Sequence, residues 1–183
     1  MTTLTGRPNT ALVVIDVQKG MWENPDYPPY DDKGVVERIA SLIAKARAAG
    51  TPVMYVQHHN VDEPQHPLKP GLPGYPFHDA IAPKTGDDVT VKHKSSAFHG
   101  TDFDSKLRAR GVDHLVITGM QSEFCVNSAI RGAYERDYKI TLVSDAHSTG
   151  DTRIAKAKDI VALQNMISQD FGAVVPAAEV SFA

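Results

Sequence analysis

Cys125 is the only thiol in the chain, and its neighbours in sequence are those of a nucleophile. Leu115-Val116-Ile117-Thr118 is a short β-rich apolar run, the pattern of a strand buried on both faces, and Gly119 ends it. Ser122 then offers an oxygen suited to capping a helix. Between Phe124 and Asp137, the residues Ala129, Ile130, Ala133 and Tyr134 recur at helical spacing. Counted from Ser122 as cap, Cys125 is the third residue of that helix. The positive end of the helix dipole favours the thiolate there. Backbone N–H groups of a first turn have no partner inside the helix, so they can donate to a developing oxyanion. The same residue has a plainer reading, because a lone cysteine in a helix is commonly a small buried hydrophobe.

Two further groups stand just past apolar runs. Ala11-Leu12-Val13-Val14-Ile15 stops at Asp16, and Val89-Thr90-Val91 runs into Lys92. A charge placed directly after a buried strand costs free energy unless it is paired or reaches water. Singly, each reads as an ordinary strand end; the coincidence with Cys125 favours catalysis, with an acid, a base and a thiol facing one crevice.

The elements that would hold them alternate along the chain. Val35 to Ala49 places Val35, Val36, Ile39, Leu42, Ile43 and Ala46 on one helical face, and Gly50 marks its end. Pro52 to Val56 is the second strand, and Val89 to Val91 the third. Thr101 caps a helix running through Arg110, with Asp104 at capping-box distance and Gly111 closing it. His114 to Thr118 is the fourth strand and Lys139 to Ser144 the fifth. Asp151 or Thr152 opens a final long helix, with Ile154, Ala157, Val161, Gln164 and Ile167 facing inward. Alternation of this kind predicts an α/β fold, three-layered, with a mostly parallel sheet covered on both sides. Such sheets bind ligands beyond the carboxyl ends of their strands, where Asp16, Lys92 and Cys125 all fall.

Composition narrows the class. With 183 residues the chain has room for one domain, taken as 1–183, and its 42% hydrophobic and 22% charged residues are ordinary for a globular protein. A net charge of −3 is too small and too mixed to argue for nucleic acid or a membrane surface. One cysteine forms no internal disulfide, and a reactive thiol survives best in a reducing compartment. Met1 to Thr10 lacks the apolar core of a signal peptide, and no run approaches membrane-spanning length, so a cytoplasmic location is expected.

Two loops border the crevice. Asn60 to Asp88 carries Pro64, Pro67, Pro70, Pro73, Pro76 and Pro83, with Leu68, Leu72, Tyr75 and Phe77 interleaved, which suggests a stiff covering. Gln18 to Lys33 carries Met21, Trp22, Tyr27 and Tyr30, any of which could instead cover the core edge or a subunit contact.

Val14-Ile15-Asp16-Val17-Gln18, Val91-Lys92-His93-Lys94-Ser95-Ser96-Ala97-Phe98 with Gly100-Thr101, and Gly119-Met120-Gln121-Ser122-Glu123-Phe124-Cys125-Val126 together resemble the isochorismatase-like cysteine hydrolases. Ser144 to Thr149 also looks like that family's late strand-end segment, and the likeness runs from about Leu12 to Asp170. The resemblance implies a Rossmann-like sheet, an Asp–Lys–Cys triad of Asp16, Lys92 and Cys125, and C–N hydrolysis through a thioester. Lys94 competes with Lys92, but the family lysine stands five residues before the Ala-Phe pair, as only Lys92 does before Ala97. The family's cis, non-proline peptide would join Met120 to Gln121, aiming the Gln121 N–H with that of Cys125 at the oxyanion. Ser122 stands where the family more often has Thr, and keeps the hydroxyl.

The substrate implied is a small amide-like molecule, with Trp22 and Phe98 as aromatic walls. Nicotinamidase-like members carry an Asp-x-His metal motif where this chain reads Gln57-His58-His59-Asn60, with His66 later. No carboxylate stands at the motif's Asp position, so no metal and no cofactor are expected. The family also implies a homodimer or homotetramer. Three other readings stay open. An isochorismatase-type vinyl-ether hydrolase needs no cysteine, a non-catalytic binding domain can share the fold, and a thiol redox protein would lack a resolving cysteine.

Overall fold

Six runs of β-forming residues pair into one sheet: β1 (Thr10–Ile15), β2 (Val53–His58), β3 (Asp88–Lys92), β4 (His114–Met120), β5 (Lys139–Ser148) and β6 (Ala173–Val175). Their order is β3-β2-β1-β4-β5-β6, and every neighbouring pair is parallel. The computed structural model describes residues 9–22, 25 and 27–182, so of Met1 to Thr10, the stretch expected to lack a signal peptide's apolar core, residues 1–8 lie outside the described residues. Strand β1 sits mid-sheet with all its residues buried, which is why its sequence is a continuous apolar run. The sixth strand escaped the sequence reading because Ala173-Val174-Val175 is too short to carry a period.

Side chains of β1 alternate between the two faces of the sheet. Leu12 and Val14 pack with α2 (Asp32–Ala48), while Ala11, Val13 and Ile15 pack with α3 (Phe103–Ala109) and α4 (Asn127–Tyr134). All six residues predicted for the inner face of α2 are buried. At roughly 1.5–3 kcal/mol for each large apolar side chain, such stripes fix each helix to its face. The result is the α/β, Rossmann-like three-layer arrangement expected. The chain leaves β1 towards β2 on one side and β4 on the other, so the crevice forms at the carboxyl end of β1.

Helix ends differ from the sequence expectation. Helix α5 (Ala157–Ser168) begins at Ala157, not at Asp151 or Thr152. The Thr152 side chain closes a tight loop on Ala155 before the helix, and Asp151 accepts the Ala157 N–H at 2.9 Å, so only Asp151 reaches the first turn. Ile154, placed in that loop, is 96% exposed instead of facing inward, while Ala157, Val161 and Gln164 are buried as expected. Helix α3 starts at Phe103, with Thr101 accepting the Phe103 N–H and Asp104 held by Arg108 and Tyr138 in place of a capping box.

Two glycine positions set the crevice. Gly119 lies at φ 117°, and a Cβ there would fall 2.0 Å from the Ile15 carbonyl oxygen, so only glycine lets β4 approach the end of β1. A Cβ on Gly74 would lie 2.7 Å from the Gly20 Cα, and the Gly20 N–H bonds the Gly74 carbonyl at 2.8 Å. That contact ties the proline-rich connection down onto α1 (Lys19–Trp22).

Candidate active site

Three separate segments meet at the carboxyl edge. Asp16 follows β1 in a left-handed conformation (φ 51°), uncommon for a residue with a side chain and concentrated at functional sites. Lys92 ends β3, level with His58 at the end of β2, because the two are register partners. Cys125 lies in the turn after β4. The Lys92 Nζ is 2.7 Å from Asp16 Oδ2, 3.1 Å from Cys125 Sγ, 3.1 Å from His58 Nδ1 and 3.1 Å from the Lys94 carbonyl oxygen. Asp16 and Lys92 are fully buried, whereas Cys125 is half-buried. The other Asp16 oxygen, Oδ1, is buried with no hydrogen-bond partner among the described residues. Lys94, the competing lysine, contributes only its backbone carbonyl.

Electrostatics corrects one expectation. Burial pushes the Cys125 thiol up, to about 12, with the Asp16 carboxylate adding to the rise and Lys92 opposing it. The resting sulfur is therefore a protonated thiol, not the thiolate that a helix dipole alone would favour. Burial likewise lifts Asp16 above the ordinary carboxylate range against the pull of Lys92, which makes it a better proton acceptor. Burial lowers Lys92, but the Asp16 carboxylate and the contact with Cys125 outweigh it and hold the ammonium above its usual value. His58 is lowered to about 4, first by burial and then by Lys92, so its imidazole is neutral.

The turn carrying Cys125 is not an ordinary helix start. Residues Ser122–Val126 form a wide turn, with the Val126 N–H reaching back to the Gln121 carbonyl at 3.1 Å, and regular helix begins only at Asn127. Such wide turns recur at functional sites. The peptide joining Met120 to Gln121 is cis. Ser122 makes no capping bond, contrary to expectation. Its buried hydroxyl meets His147 Nδ1 at 2.8 Å, His147 Nε2 meets Asn165 Oδ1 at 3.0 Å, and Asn165 Nδ2 donates to the Ser144 carbonyl at 2.9 Å. Asn165 must present its oxygen to His147, so Nε2 carries the proton and Nδ1 accepts from Ser122. This chain anchors the turn that carries Cys125 to β5 and α5.

The two aromatic residues proposed as walls sit apart from these contacts. Phe98 is buried in the core, with its ring against Phe103, Tyr138 and Arg136. Trp22 is buried against α2, lines a cavity of about 190 Å³ with Asp32, Lys33, Val36, Glu37 and His78, and its indole Nε1 has no hydrogen-bond partner among the described residues. Asp16, His58 and Cys125 also bring potential metal-ligand atoms within 4.8 Å of one another. The Lys92 ammonium is in hydrogen-bond contact with all three, so this donor set fits an internal cation. His66, the other histidine considered, accepts the Leu68 N–H within its own loop.

Residues 10–179 match the sequence pattern of the isochorismatase domain. The chain belongs to the isochorismatase family. Among its relatives in that family, the uncharacterized isochorismatase family protein YddQ of Bacillus subtilis is 33% identical over 79% of this chain and 81% of its own length. Ureidoacrylate amidohydrolase RutB of Methylobacterium radiotolerans is 33% identical over 81% of this chain and 70% of its own. A cysteine hydrolase from Pseudomonas syringae pv. phaseolicola superposes with a TM-score of 0.86 at 29% identity, covering 93% of this chain and 90% of that one.

Within this isochorismatase-family site, two residues carry more weight than the sequence reading gave them. Gln18 is fully buried, donating to the His58 and Tyr75 carbonyls at 3.1 and 2.7 Å and accepting the His58 N–H at 2.8 Å. It locks the end of β2 to the proline-rich connection. His58, weighed only as a metal ligand, instead touches the lysine. The signal for both was present, since each is a polar residue at or just beyond the carboxyl end of an apolar strand.

Proposed function

We propose that this isochorismatase-family chain hydrolyses a C–N amide-like bond of a small molecule through a thioester on Cys125. The observation that carries the reading is one buried ammonium in contact with both the carboxylate of Asp16 and the sulfur of Cys125. An acceptor with a raised pKa, a thiol and a fixed cation are the parts needed for nucleophilic attack on a carbonyl. The kinship with a ureidoacrylate amidohydrolase points the same way.

The sulfur attacks the substrate carbonyl carbon as its proton passes to Asp16, and Lys92 stabilises the sulfur while negative charge crosses it. The carbonyl π electrons move onto oxygen, and the Gln121 and Cys125 N–H groups receive that oxyanion. Collapse of the tetrahedral species breaks the C–N bond as Asp16 returns the proton to nitrogen, so ammonia or an amine leaves and a thioester remains. Water then attacks the thioester while giving a proton to Asp16. The second collapse expels the sulfur, which regains that proton, and the carboxylic acid product departs. A vinyl-ether cleavage would leave Cys125 without a role, which is why amide-like substrates are preferred.

The test is ammonia release from a panel of small primary amides and ureido compounds, using the wild-type protein and Cys125→Ala. We expect turnover of at least one member and its loss in a variant that still folds. Equal activity in the two proteins would overturn the reading.

A further inference from the structure

An ammonium has three hydrogens to donate. Lys92 Nζ has four acceptors within hydrogen-bond distance: Asp16 Oδ2, the Lys94 carbonyl, His58 Nδ1 and Cys125 Sγ. Two of these claims are fixed. Asp16 is the counter-charge at 2.7 Å, and the Lys94 carbonyl can only accept. The third hydrogen has two takers at equal distance, an imidazole nitrogen and a sulfur.

We infer that His58 is a positioning residue for Cys125: it holds the third hydrogen of Lys92 while the sulfur is a thiol and releases it to the sulfur when the thiolate forms. The inference rests on Cys125 being the nucleophile of the proposed reaction. A thiol sulfur is a weak acceptor and an imidazole nitrogen a strong one, so in the resting site the N–H points to His58. As the S–H bond breaks and its proton moves to Asp16, the sulfur becomes the stronger, charged acceptor and the N–H swings across. No other bond changes. Because Nδ1 accepts, the single proton of the neutral imidazole sits on Nε2. The lowered pKa of His58 is consistent with an imidazole that stays neutral throughout. The charged and titratable groups acting on this pair are Asp16 just after β1, Lys92 from β3, and His59, His66 and His93 around His58.

Two substitutions separate this role from space-filling. His58→Leu removes the acceptor and keeps the bulk, leaving three acceptors for three hydrogens, so the sulfur receives an undivided N–H. His58→Asn keeps an acceptor oxygen close to the place of Nδ1. Cys125 is the only cysteine, so alkylation by iodoacetamide followed against pH reads its ionisation without a competing thiol. We expect the alkylation midpoint to fall by at least about one pH unit, a tenfold gain in thiolate at a given pH, in His58→Leu. In His58→Asn it should stay within about 0.3 pH unit of wild type on the same scale. An unchanged or raised midpoint in the leucine variant, as a purely apolar surrounding would give, or equal shifts in both variants, would overturn the inference.

Nitrogen NMR of the imidazoles in the unsubstituted protein adds a reading that needs no variant. A His58 proton on Nε2 at pH 7 supports the assignment, and one on Nδ1 overturns it. Turnover is not read in either measurement. A thiol that resists alkylation at every pH would count against Cys125 as nucleophile, whereas a reactive thiol with an unmoved midpoint would count only against His58.

Discussion

An ammonium buried as completely as that of Lys92 costs several kcal/mol in lost hydration, and one carboxylate at 2.7 Å offsets this only because further acceptors take its remaining hydrogens. The same cost makes the pair asymmetric towards mutation. Lys92→Met leaves the Asp16 charge buried without a partner, so we expect a loss of about 3–5 kcal/mol in urea unfolding along with loss of turnover. Removing both charges in Asp16→Asn/Lys92→Met should return most of that stability without any activity. Unchanged unfolding of the single variant would show that the pair is not what balances the buried charge. At this scale the sequence was informative about identity and silent about state. Residue type and strand-end position pointed to Asp16, Lys92 and Cys125. Burial and the facing carboxylate decide that the resting sulfur is protonated, and neither can be read before the segments meet.

The turn Ser122–Val126 is held from outside, by β5 and α5 through His147 and Asn165. Ser122→Ala would strip His147 Nδ1 of its donor in a buried site, at about 1–3 kcal/mol. We expect that loss in chemical denaturation together with a fall in kcat, since the turn carries the Cys125 N–H and adjoins that of Gln121, the two groups proposed to receive the oxyanion. Unaltered stability would mean that the hydroxyl is not the anchor. The sequence suggested a helix cap here because a hydroxyl before a helical period is a local signal, whereas the true partner of Ser122 lies on β5. Strand β5 shows the same limit, since its run continues through Asp145 and His147 to Ser148 where the apolar pattern had already stopped. By contrast, the face of α2 was legible in full, because six apolar residues at helical spacing have a single consistent place to go.

Acid should reveal how the whole molecule depends on neutral, buried imidazoles. Burial lowers His147 from its ordinary 6.5 to about 4, so between these values the unfolded chain binds a proton that the folded protein refuses. Stability therefore falls as pH drops from about 6.5 towards 4, by at most about 3 kcal/mol for this residue. His58 adds in the same direction, to a smaller extent because it is only half-buried. Carboxylates held low by partners, such as Asp102, weaken the fold only below their ordinary 3.8, outside this window. Urea midpoints at pH 7 and 4.5 should differ accordingly, and His147→Gln should flatten the difference; an equal slope in that variant would contradict the assignment. The overall architecture was visible in the alternation of strands and helices, and the site in three strand ends. The surroundings of Phe98 and Trp22 were not, since Phe98 packs in the core and Trp22 lines a cavity beside α2. The molecule as a whole brings residues far apart in sequence around one ammonium, an arrangement that the proposed thioester mechanism would use. Intact-protein mass spectrometry of samples acid-quenched during turnover of an amide substrate tests this most directly. A mass increase equal to the acyl group, located on Cys125 and missing from Cys125→Ala, is expected; steady turnover with no such adduct, and undiminished in that variant, would contradict the proposed mechanism.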